Sequence, residues 1–571
     1  MKNILFTSVL ILCVLALVAG KAFYKPVAAA AEKHDIISCG FPATGVTAGD
    51  NGKFIPLLPG WGHYSYAIST TNDSTQIYFN QGLNFYYSYH FREALASFKE
   101  AARFDNNCAM AYWGQALAMG PYYNNNYYKM GNEVPAVLKD MNKHMPGASE
   151  KERELIKAMQ LRYSADTSNS DRPQLDSNYA AALHALVKQF RSDDDIKALY
   201  VDAVMLQHKW DFWNNDGTPK SWTQELVGLC EGIMQRQRLH PAALHYYIHL
   251  TEASHEPQLA LRSAEILKDA MPGVAHMVHM ATHMYQRNGL FAKGVSVNED
   301  ANTANNTIDD LAPNLHIGKN NMVHVYAVQS FCAINAGMYS KAVPLYQRAK
   351  NRMLALATGI DKDPHSQEVL MLPVLAMVRM GKWEQILATP KPNENWKYAM
   401  ILDDFARGLS EVHNKNIAAA RQLLDHLQTG MQDTMLAIRS IPFNAPVQMA
   451  RIAAGILKGE IDYAEGKTND AINALRTAVE EEDKLIYREP QEWILPARQY
   501  LGAYLLKMKQ PSAADKVYRE DLLANPNNGW SLLGLYQSLL AEGKKNEAVL
   551  YKDSYIAAFK DADVMPTASV Y

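Results

Sequence analysis

The chain has 571 residues, 48% of them hydrophobic and 20% charged, and 56 Lys plus Arg against 59 Asp plus Glu leave a net charge of -3. That apolar content excludes wholesale disorder. The near-neutral balance excludes a general nucleic-acid binder, which needs a basic footprint.

Residues 1–31 read as a targeting segment. Lys2 opens it, an apolar run follows from Ile4 to Ala19, and Ala28-Ala29-Ala30 resembles a small-residue cleavage site. This predicts an exported protein, periplasmic or secreted, with an uncleaved membrane anchor as the alternative. The run is shorter than the roughly 20 residues of a spanning helix, and no later segment reads as a membrane span. Cys39, Cys108, Cys230 and Cys332 remain beyond it, widely spaced, and read mostly as buried fillers rather than a disulfide scaffold.

Residues 32–70 read as an irregular leader. From residue 71 a 34-residue period takes over. In 79–112, Gly82, Ala94, Phe98 and Ala101 fall at positions 8, 20, 24 and 27 of a tetratricopeptide unit, a helix–turn–helix in which small residues mark the helix crossing. Ala342, Tyr346 and Ala349 repeat the pattern, and a weaker unit centres on Gly466, Ala471 and Ala478. Leu501, Gly502, Ala514, Tyr518 and Pro526 repeat it again, and Leu535 and Ala548 fall one period later. Alternating β-branched runs are scarce. The predicted fold is an all-α tetratricopeptide-like solenoid of stacked helix pairs with loop insertions and a concave inner face. Its parts are an N-terminal solenoid over 71–360, degenerate helical repeats over 361–440, C-terminal repeats over 441–560 and a frayed tail over 561–571. Loops are predicted at 163–176, 210–222, 303–319, 361–367 and 389–396.

Nine of the 18 His lie between His240 and His324, where an even spread would place about three. Units framed at 241, 275 and 323, without reference to His, show positions 2, 5, 9, 12 and 13 of each first helix to the concave face. Those positions hold Ala242, His245, His249, Glu252 and Ala253; then His276, His279, His283, Gln286 and Arg287; then His324, Ala327, Phe331, Ile334 and Asn335. The spacings i, i+4 and i, i+3, i+7 put ring nitrogens on one helix face. Neutral imidazoles with a carboxylate suit copper or zinc first, and also iron. His245, His249, His276, His279, His283 and His324 are therefore the predicted metal ligands. Glu252 is a ligand, an orienting partner or a general base for metal-activated water or oxygen chemistry. Gln286, Arg287 and Asn335 are candidate contacts for a peptide, protein or small molecule in the groove.

Three other His read as structural or accessory. His240 precedes Pro241 at a helix start, His255 lies in a turn, and His316 lies in the insertion, where it could cap the site. Met277, Met280 and Met284 alternate with the His and face the core. Tyr487, Glu489, Trp493 and Arg498 precede or open a helix and could close the far end of the groove. GxSxG, P-loop, GxGxxG and HExxH motifs are absent. The competing functional reading is a non-catalytic peptide- or protein-binding scaffold.

The stretch HPAALHYYIHLTEASHEP…MPGVAHMVHMATHMYQRNGLFAKGVSVNEDAN (240–302) resembles a family of exported bacterial tetratricopeptide proteins. YREPQEWILPARQYLGAYLL and REDLLANPNNGWSLLGL resemble that family's C-terminal half. The resemblance implies the fold and export. It also implies a second His one turn after His324, where this chain has Ala327.

Overall fold

Proline and asparagine or aspartate mark many of the helix starts. Asn72, Asp193 and Asn528 each accept a backbone N–H from the first turn of the helix that follows. Proline occupies the first helical turn in others, where its missing N–H costs nothing. A computed structural model of the protein describes residues 43, 45–123, 128–165, 171–315, 322–357, 359–439 and 443–571. These belong to one unit, Asp35–Tyr571. The targeting segment, Cys39 and His316 lie outside the described residues.

Among the described residues there are 24 α-helices. They are α1 (Asp73–Tyr87), α2 (Phe91–Phe104), α3 (Ala109–Ala118), α4 (Val134–His144), α5 (Glu150–Leu161), α6 (Arg172–Gln189), α7 (Asp194–Gln207) and α8 (Thr223–Arg236). The middle of the chain forms α9 (Pro241–Thr251), α10 (Leu261–Ala270), α11 (Ala275–Arg287), α12 (Phe291–Leu311), α13 (Met322–Asn335), α14 (Tyr339–Leu356), α15 (Pro364–Arg379) and α16 (Trp383–Ala388). The rest forms α17 (Lys397–His413), α18 (Ile417–Gly430), α19 (Pro446–Ala464), α20 (Thr468–Glu482), α21 (Ala497–Lys507), α22 (Pro511–Ala524), α23 (Gly529–Ala541) and α24 (Lys545–Ala558). The described residues contain no strand, only an isolated bridge between Trp213 and Pro219. None of the described helices is long and apolar enough to cross a membrane. The chain is an all-α solenoid of tetratricopeptide-like helix pairs.

The small residues of the repeat do what the period implies. A Cβ on Gly82 would fall 2.7 Å from the Phe98 ring, and one on Gly114 would fall 2.3 Å from it. Phe98 is fully buried between them. Tyr518 fills the equivalent gap between Gly502 and Gly534. At these two crossings the helices close on one aromatic plug, and only glycine leaves room for it.

First helices of successive units touch one another, so α9, α11 and α13 stand in a row. Next to them the concave face is filled rather than open. The leader crosses it at one end, where Asn84 donates to Tyr64 O at 2.9 Å and Gly273 N donates to Gly60 O at 3.0 Å. The C-terminal half returns at the other. A Cβ on Gly289 would meet Pro526 O at 2.3 Å, and Asn527 donates to Asn288 O at 3.1 Å.

Several local expectations differ from the structure, among them the predicted 163–176 loop, inside which α6 already starts at Arg172. The predicted break at 303–319 is helical as far as Leu311, and the helix ends just before Pro313. The tail folds back: Ser569 pairs with the buried Tyr518 hydroxyl at 2.5 Å, and Tyr571 meets the Trp530 ring edge-on. Helix α15 already starts at Pro364, inside the predicted 361–367 loop.

Candidate metal centre

Helix α9 begins at Pro241, with the His240 ring accepting from Ala243 N at 3.4 Å. It carries His245 and His249 one turn apart and ends at Glu252. Helix α11 carries His276, His279 and His283, and every residue from His276 to Gln286 is buried. Helix α13 contributes His324. The six rings are 0–4% exposed, so the stripe read as an open groove is an enclosed centre. His276 and His324, at the edge of the predicted stripe, are full members. Met277, Met280 and Met284 are fully buried on the other side.

The rings sort into two triads, His245–His249–His276 and His279–His283–His324. Within each triad, one nitrogen from every ring lies within 4.8 Å of the others. Across the triads, His249 and His283 are 5.7 Å apart between centroids, and His276 and His279 are 6.1 Å apart.

The Nδ1 atoms of four rings are held by acceptors. His245 Nδ1 donates to Tyr87 O at 2.6 Å, and His279 Nδ1 donates to Asn298 Oδ1 at 2.6 Å. The Asn298 amide nitrogen is occupied by Thr282 and Gly294, which fixes its oxygen toward the ring. His249 Nδ1 donates to Glu252 Oε1 at 2.9 Å, and His283 Nδ1 donates to Glu252 Oε2 at 2.7 Å. Glu489, from the segment before α21, also pairs with His283 Nδ1. A ring whose Nδ1 carries the hydrogen turns a lone pair outward at Nε2.

The Nε2 atoms approach one another in pairs. His276 Nε2 lies 3.0 Å from His245 Nε2, and His283 Nε2 lies 3.2 Å from His279 Nε2. The Nε2 atoms of His249 and His324 and Nδ1 of His276 are buried with no hydrogen-bond partner. The orphaned Nε2 atoms of His249 and His324 cost free energy that a cation at the junction would recover.

Electrostatics point the same way. Burial holds His249 and His279 down at about 3, and it holds His245, His276 and His324 well below the ordinary imidazole value, with neighbouring rings adding to the effect. Burial also pushes His283 down, but the carboxylates of Glu489 and Glu252 outweigh it and raise this ring to about 10. Five rings are therefore neutral, the protonation state in which imidazole binds a metal.

Several supporting groups were not read as part of the centre from sequence. The Tyr89 ring packs 4.5 Å from His245 and 5.7 Å from His276, and Tyr89 takes a left-handed φ of 58° to reach that position. Tyr123 lies 5.4 Å from His249, and its hydroxyl accepts from Trp210 N in the aromatic insertion. Glu252 has both oxygens on imidazoles, which makes it a ring-orienting group spanning the triads. Arg287 spends its guanidinium on the carbonyls of Glu252, Ser254 and Ala524 and stacks on Tyr487. Gln286, Arg287 and Asn335 do line one small cleft, together with Gln491, Asn525 and Asn528. Trp493 and Arg498 lie away from the triads: Trp493 packs on Phe405, and Arg498 pairs with Asp483.

No family model matches the chain, and no curated protein matches it. Solved structures that align with it include a human IFIT1 dimer with m7Gppp-AAAA at 12% identity, covering 79% of this chain and 89% of that one, with a TM-score of 0.33. The Cut9–Hcn1 hetero-tetramer of the APC/C aligns at 13% identity over 87% and 79%, TM-score 0.27. The P58(IPK) TPR domain aligns at 11% over 60% and 93%, TM-score 0.18. Likeness at this level carries no argument about function.

Proposed function

We propose that this chain is an exported, bacterial-type tetratricopeptide solenoid that binds a transition metal, copper or zinc first, in its buried histidine centre. One observation carries the reading: six buried imidazoles from α9, α11 and α13 cluster in two triads, and acceptors hold the Nδ1 atoms of four of them, those of His245, His249, His279 and His283. Structural histidines bring partners for both nitrogens; these bring vacant lone pairs with oriented backs, the arrangement of metal-ligating His with its supporting acceptor. Imidazole donors without thiolate favour copper, zinc, nickel or iron over magnesium or calcium. Metal-activated oxygen or water chemistry requires a substrate to reach this buried centre.

A second reading, a peptide- or protein-binding scaffold, is favoured by the cleft at Gln286. Its carboxamides are suited to an uncharged polypeptide backbone. Capture of a partner by wild type and by the double variant His249→Ala, His283→Ala separates the two. The metal reading expects chelator treatment and the double variant to abolish metal retention and lower the melting temperature. Unchanged melting with chelator, together with partner capture that ignores both, would leave the scaffold reading alone.

A further inference from the structure

We infer that the centre is dinuclear, with one copper ion on the Nε2 atoms of His245, His249 and His276 and a second on those of His279, His283 and His324. This rests on the metal reading above and goes further by fixing the number of ions, their ligands and their oxidation state.

The six donors do not converge on one point. Each triad is closed within itself, and each contains its own short Nε2–Nε2 approach, at 3.0 Å in the first and 3.2 Å in the second. Each triad also contains one partnerless Nε2, that of His249 in the first and that of His324 in the second. One ion would satisfy one triad and leave the partnerless Nε2 of the other unmet.

Glu252 joins the halves, with Oε1 on His249 of the first triad and Oε2 on His283 of the second. A rival arrangement places a single ion among His249, Glu252, His283 and Glu489, whose atoms also lie close together. That ion would need the Nδ1 atoms of both rings. In the structure those nitrogens face carboxylates as donors, and the Nε2 of His249 is the atom left without a partner.

Charge selects copper. Two carboxylates, Glu252 and Glu489, touch the rings, and both are buried. Two cuprous ions bring two positive charges, which these carboxylates match. Two zinc ions would bring four; the Arg287 guanidinium beside Glu252 adds one in either case, so zinc leaves the larger uncompensated charge in the enclosed site. Three neutral imidazoles per ion also suit copper's low coordination number and soft character.

The full chain is loaded anaerobically with cuprous ion, desalted and assayed for copper per chain. It is then oxidised, and its paramagnetic spins are counted. The inference expects about two copper ions per chain and a spin count well below the copper count, because neighbouring cupric ions couple. His276→Ala and His324→Ala are each expected to retain about one copper, now with spin equal to copper. Circular dichroism confirms that each variant folds. About one copper per wild-type chain, or two with full spin, overturns the dinuclear inference and leaves the metal reading standing. If wild type holds one copper and both variants keep it undiminished, the ion sits in the rival carboxylate site, which also overturns the inference. Less than about 0.3 copper per folded chain defeats the metal reading itself.

Discussion

His283 Nδ1 donates to Glu252 Oε2 at 2.7 Å, joining two residues 31 positions apart on separate repeat units. The same carboxylate holds His249 through its other oxygen, so one side chain orients a ring on each of two helices. Glu252→Gln keeps the shape but replaces one accepting oxygen with a donor. Metal affinity should fall about 10- to 100-fold, the usual cost of losing an orienting partner. Competition against a chromogenic chelator reads this directly, and an unchanged affinity would remove Glu252 from the centre.

Metal loading should release a proton. Glu489 and Glu252 raise His283 to about 10, so in the metal-free protein this ring carries a proton at neutral pH, on the atom that faces His279. An ion on Nε2 must displace it. Below pH 10 the proton competes, and apparent affinity should rise toward about tenfold per pH unit as the solution becomes more alkaline. Calorimetric titrations in buffers of different ionisation enthalpy measure the release, expected at about one proton per chain near pH 7.5 from this ring.

The repeat frame makes its own prediction. Gly114→Ala would drive a Cβ to 2.3 Å from the buried Phe98 ring. Overpacking of this kind costs about 1–3 kcal/mol, and Phe98→Ala, which empties the same gap, about 3–5 kcal/mol. Denaturant midpoints would show both, whereas Gly147→Ala, with open space at its Cβ, should be near neutral.

Asp195 supplies a pH dependence away from the metal. It is buried under Tyr64 and accepts from the Tyr87 hydroxyl at 2.8 Å; burial raises it to about 7 although both hydrogen bonds lower it. The unfolded carboxyl titrates near 3.9. Between those values the folded chain holds a proton that the unfolded chain has lost, so this group's contribution falls as pH rises from about 4 through 7. Melting temperature followed across that range should decline less steeply in Asp195→Asn than in wild type.

Much of this was legible in the sequence because a 34-residue period assigns helix faces before any contact is known. Gly82 and Phe98 announce the crossing, and the frame then places His245, His249, His276, His279, His283 and His324 together. The supporting atoms were not legible for specific reasons. Tyr87 contributes a backbone carbonyl, which no residue type encodes. Asn298 reads as an ordinary polar residue in the middle of α12. Glu489 could be seen only as a residue near the far end of the stripe, since the return of the C-terminal half over α11 involves partners some 200 residues apart. That return also explains why the expected groove is filled: helix periodicity reports which face is concave and says nothing about what occupies it.

The most direct test of the account is elemental analysis of the full chain, purified, stripped with chelator, reloaded and desalted, beside the His249→Ala, His283→Ala variant. The account predicts at least about one tightly held transition-metal ion per wild-type chain and almost none in the variant. A folded wild-type chain with less than about 0.3 ion, or a variant that retains as much as wild type, would contradict it.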